Sequence, residues 1–231
     1  MRKLVIGAAL ASTAIATPAL ARDDQWYVGV DGGVMLVEDL KFDISNGADQ
    51  GQADLDTGYD FGGVVGYDFG PIRLEAEGSY RDADMNTLVA GTSGWADGAG
   101  ISPRSTQFPA AGSANALSFM VNALADFGPD DGLQGFVGAG LGVARVKVTS
   151  TINVNGPDAI DDSDSGLAWQ VLAGVRAPLT DHWDVGLKYR YFNAPNVDLV
   201  DGLGRSVSTD FKSHSILGSL IYNFGGPVAP P

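Results

Sequence analysis

The stretch Pro71-Ile72-Arg73-Leu74-Glu75-Ala76-Glu77-Gly78-Ser79-Tyr80-Arg81 decides the fold. Its even positions read Ile72, Leu74, Ala76, Gly78, Tyr80, and its odd positions read Arg73, Glu75, Glu77, Ser79, Arg81. Successive side chains of a strand point to opposite faces, so a strand gathers every charge of this stretch on one side, where a helix would scatter them. The split recurs outward in both directions. Thr57 to Phe69 sets Tyr59, Phe61, Gly63, Val65, Tyr67 and Phe69 against Asp60, Gly62, Val64, Gly66 and Asp68. Leu117 to Phe127, Leu167 to Ala177 and Trp183 to Phe192 alternate in the same way. Trp26 to Val37 and Phe211 to Phe224 fit more loosely, and Leu133 to Val148 is Gly-rich with the least regular faces. Period-two alternation predicts eight strands.

The predicted connections alternate in length. Short turns follow strands two, four and six, at Gly70-Pro71, Gly128 to Gly132 and Pro178 to His182. Long loops follow strands one, three, five and seven, at Glu38 to Asp56, Asp82 to Ala114, Ser150 to Ser165 and Asn193 to Asp210. Short turns at one end and long loops at the other are the habit of an outer-membrane barrel. A soluble barrel also alternates, but it keeps its apolar face inside. Aromatic placement separates the two. Trp26, Phe69, Phe127, Trp183, Tyr222 and Phe224 fall toward the short-turn end of the apolar face, and Tyr59, Phe61, Tyr80, Phe119, Trp169 and Tyr191 toward the long-loop end. Two aromatic girdles around an aliphatic belt are what bilayer interfaces select. The expectation is an all-β, eight-stranded antiparallel up-and-down transmembrane barrel with short periplasmic turns, long extracellular loops and its ionic residues enclosed.

Composition agrees. The 231 residues are 18% charged and 45% hydrophobic, and they include no Cys, which excludes disulfides, thiolate metal sites and a Cys nucleophile. The 14 Lys+Arg against 28 Asp+Glu give a net charge of −14, which argues against a nucleic-acid partner. No apolar run beyond the N-terminus is long enough for a spanning helix. Arg2 and Lys3, the apolar run Leu4 to Thr17, and Pro18-Ala19-Leu20-Ala21 form the pattern of a secretory signal peptide. The organisation expected is a signal peptide over residues 1–21, a barrel over 22–224 and a Pro-rich tail over 225–231. Export without cysteine suits a bacterial envelope protein.

Arg73-Leu-Glu-Ala-Glu-Gly-Ser-Tyr80 resembles the third strand of OmpA-like outer-membrane proteins, Ser118-Phe-Met-Val-Asn-Ala-Leu-Ala-Asp126-Phe127 the fourth, and Phe136-Val-Gly-Ala-Gly-Leu-Gly142 the fifth. The terminal Ile221-Tyr222-Asn223-Phe224 is similar to the aromatic-ending signal read by the barrel assembly machinery, which the resemblance makes an expected partner. One departure is Gly218, six residues before Phe224 rather than five, which fits a bulge in the last strand or looser recognition. OmpA-like chains often continue past this point into a peptidoglycan-binding domain. The tail Gly225 to Pro231 reads like the start of such a linker, so peptidoglycan is an expected partner only if a further domain exists. Outer-membrane lipid and lipopolysaccharide are the remaining expected partners.

The predicted lumen carries Arg73, Glu75, Glu77, Arg81, Arg176, Lys188 and Arg190, with Asp31, Asp60 and Asp68. Charges enclosed in so narrow a barrel must be paired or wet. Strands three and seven lie opposite each other, which places Glu75 and Glu77 to meet Lys188 and Arg190 across the lumen. The resemblance implies that such a plug acts as a gate on a small, low-conductance pore, and a static filling of the lumen is the plainer alternative.

Other chemistries fit poorly. The two His, His182 and His214, fall at opposite ends of the barrel, and adjacent His214 and Ser215 point to opposite faces, so no hydrolytic triad is expected. Gly138-x-Gly140-x-Gly142 misses the dinucleotide spacing, since Val143 stands where a glycine is needed. Asp49, Asp54 and Asp56, and Asp158, Asp161, Asp162 and Asp164, lack calcium-loop spacing and read as solvated loops. No cofactor, no metal and no enzyme activity are predicted. The functional expectation is a structural barrel serving envelope integrity, with a low-conductance gated pore as an added property. A surface adhesin or receptor acting through the long loops is the alternative.

Overall fold

In the computed structural model, residues 24–44, 47–91, 94–97, 100–102, 106–129, 132–152 and 158–225 are described. The predicted signal peptide and all of the tail except Gly225 lie outside them. The described residues form β1 (Gln25–Val37), β2 (Leu40–Ile44), β3 (Gly47–Leu55), β4 (Gly58–Asp68), β5 (Ile72–Ala90), β6 (Ala96–Asp97), β7 (Gly100–Ile101), β8 (Gln107–Phe127), β9 (Gln134–Ile152), β10 (Asp158–Pro178), β11 (Trp183–Val200) and β12 (Ser206–Asn223).

Eight of these strands close a ring. Each pairs antiparallel with the next in the order β1, β4, β5, β8, β9, β10, β11, β12. The ring shuts where β12 returns to β1, from Tyr27↔Asn223 to Val37↔Ser213. Closure satisfies the backbone without a free edge, which is the condition for strands to cross hydrocarbon. The β1–β12 pairing is continuous, and Gly218 sits directly opposite Gly32, so of the two alternatives for Gly218 the bulge is absent. Two of the short turns use glycine in the left-handed region, Gly70 at φ 94° and Gly128 at φ 113°.

The expected long loops are corrected by the structure. Much of each is strand. β5, β8 and β10 run 19, 21 and 21 residues, whereas roughly 9–11 residues of tilted strand cross a bilayer. The surplus lifts the wall out of the membrane as a collar. The β2–β3 hairpin belongs to this collar and continues it between β12 and β5. The alternation does not stop at the membrane edge; its sense reverses. Inward positions change from charged to apolar, as at Ala83, Met85, Val146 and Val148. Outward ones change from apolar to charged, as at Asp84, Arg145 and Lys147. A reading that seeks apolar outward faces loses the strand at that crossover.

The collar's ladder opens at the seam between β10 and β11, and more briefly between β12 and the β1–β2 side, where pairing lapses from Thr209 to Phe211. β10 and β11 pair up to Trp169↔Asn193 and then separate, meeting again only at the bridge Ile160↔Asp201. Between these points two carboxylates replace the missing backbone acceptors. Asp164 accepts from the N–H of Asp198 and Asp162 from that of Val200, both at 3.0 Å.

Candidate functional site

The wall sorts side chains as the alternation requires. Arg73, Glu75, Glu77, Arg81, Arg176, Lys188 and Arg190 are all buried inside the cylinder. Trp26, Tyr59, Phe69, Tyr80, Phe127, Trp169, Trp183 and Phe224 are exposed on its exterior, and Tyr191 and Tyr222 are half-buried there. The exterior aromatics meet one another within each girdle, Trp183 and Tyr222 at 5.0 Å near the short turns and Trp169 and Tyr191 at 5.4 Å near the collar.

The enclosed charges form two tiers. In the tier nearer the short turns, Arg73 donates through Nε and Nη2 to the two oxygens of Asp126, at 2.6 and 2.8 Å. Arg176 donates to Asp68 at 2.9 Å and to Gln134. Glu75 lies 3.7 Å from Arg73 and accepts from the Tyr27 hydroxyl at 2.9 Å. In the second tier, Arg190 donates from Nη1 to both oxygens of Asp60, at 2.8 and 2.9 Å, and its Nη2 lies 2.8 Å from Glu77. Arg81 and Ser215 also donate to Asp60, at 3.3 and 2.8 Å. Lys188 reaches Asp31 at 2.6 Å, and Asp31 also accepts from Ser219 at 2.5 Å. Asn122 and Gln170 donate to Glu77 at 2.9 and 3.1 Å. Charge-assisted bonds of this kind are what offset the desolvation of buried ions.

Of the expected cross-lumen contacts, the structure brings together Glu77 and Arg190 only. Lys188 turns instead to Asp31, which stands two strands away along the same wall and needs no reach across the lumen. Glu75 joins the lower tier. Among the ionisable partners, the sequence reading missed Asp126 and Tyr27. Asp126 lies on the inward parity of its strand, so the alternation alone could have found it. Tyr27 is an aromatic facing inward, and Gly66 makes room for its ring, since a Cβ there would strike it. Likewise Gly140, in the Gly-rich stretch on β9, lacks the Cβ that would collide with the Asn122 amide. Its small size serves the second tier.

Above the charges the lumen turns apolar. Met35, Leu40, Phe42, Leu88, Phe192 and Phe211 pack there with no exposure. Trp95 closes the stack from the segment after β5, edge-on to Phe42 at 5.0 Å, with its indole N–H donated to the Val89 carbonyl. At the junction the Arg81 guanidinium lies 3.8 Å over the Phe192 ring.

The remaining sequence features stay apart. His182 sits in the turn before β11, against Tyr222. His214 is on the exterior, between the Tyr189 hydroxyl at 2.8 Å and Glu38 at 3.0 Å. Among the described residues, no three acidic or His groups gather as a metal site. Asp161 pairs with Lys147 at 3.0 Å.

A family model for the outer membrane protein β-barrel domain matches residues 7–224. The chain belongs to this family. Its place is therefore the outer membrane. Outer membrane protein PagN of Salmonella typhimurium is 24% identical over 149 residues, which is 60% of this chain and 59% of that protein's length. Neisserial surface protein A is similar at 18% identity and TM-score 0.50, over 86% of this chain and 97% of that one. OprG of Pseudomonas aeruginosa is similar at 12% identity and TM-score 0.53, over 88% and 98%. At these identities the two structures speak to the fold, an outer-membrane barrel.

Proposed function

We propose that the chain is a structural outer-membrane barrel that anchors in the envelope and holds a stiff extracellular collar, without serving as a passage. The observation that supports this is the double filling of the lumen, by paired charges and then by the packed apolar stack of Phe42, Trp95, Phe192 and Phe211. Rearranging Glu77 and Arg190 frees at most the charged tiers. The apolar stack stays shut, because interior packing has no room for a solute. In planar bilayers the wild type is expected to give no conductance steps, and Glu77→Ala and Lys188→Ala none either. Steps in the wild type that change in either variant would replace this reading with a gated pore. No hydrolytic role enters it, since His182 and His214 share no site.

A surface adhesin or receptor is the second reading. It is favoured by the collar's exterior, where Asp39, Asp43, Asp84, Asp158, Asp161 and Asp198 are exposed and suit a basic partner surface. Replacing Asp84, Asp158, Asp161 and Asp198 by Asn with the barrel intact is expected to abolish cell attachment, and unchanged attachment would reject this reading.

A further inference from the structure

On the outside of the barrel an apolar groove of about 590 Å³ crosses the strands within the lipid-facing belt. Two adjacent rungs of the ladder line it. One runs Gly63, Gly78, Phe119, Val143, and the other Val65, Ala76, Val121, Leu141. The floor is made of residues with little or no side chain, Gly63, Gly78 and Ala76. A Cβ placed on Gly63 would find nothing nearer than a backbone oxygen at 3.7 Å. The bank on β8 and β9 stands proud, with Val121 65% and Leu141 72% exposed.

The next outward residue on β9 after Val143 is Arg145, at the outer edge of the belt, followed by Lys147. The Arg145 guanidinium donates to the Ser163 hydroxyl at 3.0 and 3.4 Å, and no carboxylate lies within ion-pair distance of it among the described residues. Lys147 shares its charge with a half-exposed Asp161. Of the other outward cations, Lys212 and Arg205 are tied to Asp210 and Asp201, and Lys41 lies on the β2 hairpin of the collar, away from the lipid-facing belt. A guanidinium without a carboxylate, at the boundary of hydrocarbon and water, is matched to the planar two-point geometry of a phosphate. The groove below it is matched to an alkyl chain.

We propose that Arg145, supported by Lys147, and the groove beneath them bind one phosphate-bearing lipid of the outer leaflet. The phosphate sits on the guanidinium and one acyl chain lies along the Gly63–Gly78 floor. The charge pattern and the continuity of groove and membrane both favour a lipid over a free anion. Inorganic phosphate would use the head of the site and leave its apolar part empty.

Native mass spectrometry of the full barrel refolded in detergent tests this with bisphosphorylated lipid A as the probe. The wild type is expected to retain the lipid, and Arg145→Ala with Lys147→Ala to lower its occupancy about tenfold, the size of losing a charge-assisted bond. Gly63→Leu with Gly78→Leu, which fills the groove from outside, is expected to weaken retention similarly. Dephosphorylated lipid A should bind about tenfold less well to the wild type, and millimolar inorganic phosphate should displace nothing. Heat-modifiable gel migration checks that each variant is a closed barrel. If a variant fails that check, the wild-type comparison of the two lipids decides alone. Equal retention of both lipids, or undiminished retention by either folded double variant, overturns the proposal.

Discussion

The membrane half and the collar half of this cylinder are built from the same strands with opposite polarity. On β5 the inward residues are Arg73, Glu75, Glu77, Ser79 and Arg81 below, then Ala83 and Met85 above. On β12 the outward residues are Lys212 and His214 above, then Ile216, Gly218 and Leu220 below. The backbone ladder is indifferent to the change. What differs is the medium outside the wall. Where that medium is hydrocarbon, the outward face is apolar and polar groups retreat into the lumen, where they pair. Where it is water, the outward face is polar and the lumen packs like a soluble core. The lumen of each half is thus the complement of its surroundings, and Arg81 over Phe192 marks the place where one regime hands over to the other.

The strongest way to break this contrast is to remove a member of each interior. Asp60 neutralises both Arg190 and Arg81, so Asp60→Ala is expected to cost about 3–5 kcal/mol by stranding buried charge. Phe192→Ala is expected to cost a similar ~3–5 kcal/mol by a different route, an apolar cavity. Urea unfolding in detergent micelles, followed by tryptophan fluorescence, measures both. A loss below about 1 kcal/mol for Asp60→Ala would mean the charges of the second tier are wet rather than paired.

The exterior supplies a sharper contrast of intermediate size. Val121→Arg puts a charge in the hydrocarbon belt and is expected to cost about 2–4 kcal/mol when the protein is folded into lipid vesicles. Asn86→Arg, exposed on the collar of β5, should fall within about 0.5 kcal/mol of wild type. Equal penalties would erase the boundary between the halves.

The smallest effect belongs to the collar surface. Burial would raise the Asp210 carboxyl, but the Asn196 N–H at 3.1 Å and the Lys212 ammonium at 3.1 Å outweigh it and hold the group below the ordinary carboxylate range. A lowered carboxylate contributes stability above its unfolded pKa and loses it as pH falls through the folded value. The advantage of wild type over Asp210→Asn should therefore be present at neutral pH and vanish on acidification. It should stay below about 0.5 kcal/mol, because exposed pairs are screened. A difference independent of pH would point to the geometry of the β11 bulge instead.

How far the sequence could be read follows the same division. In the membrane half, Arg73 to Arg81 and the aromatic girdles carry the fold, because one face must be apolar over its whole width and little else can satisfy that rule. The inward set was legible for the same reason. The pairing within it was not: Lys188 had Asp31, Glu75 and Glu77 all on inward parities, and parity says nothing about distance around the ring. In the collar, Asp82 to Ala114 and Asn193 to Asp210 read as loops. Their outward charges broke the expected sense of alternation, and bulges at Met85/Thr87 and Ala194/Val197 shifted its phase.

The gap between β10 and β11 gives the rim an unequal stiffness. A fully laddered cylinder resists deformation equally around its circumference, whereas here a short arc is stitched by the side chains of Asp162 and Asp164 rather than by peptide groups. Such stitches are as short as peptide hydrogen bonds, at 3.0 Å, but each hangs on one replaceable side chain. Parting the rim at the β10–β11 seam is therefore expected to cost less than parting it where the peptide ladder is continuous.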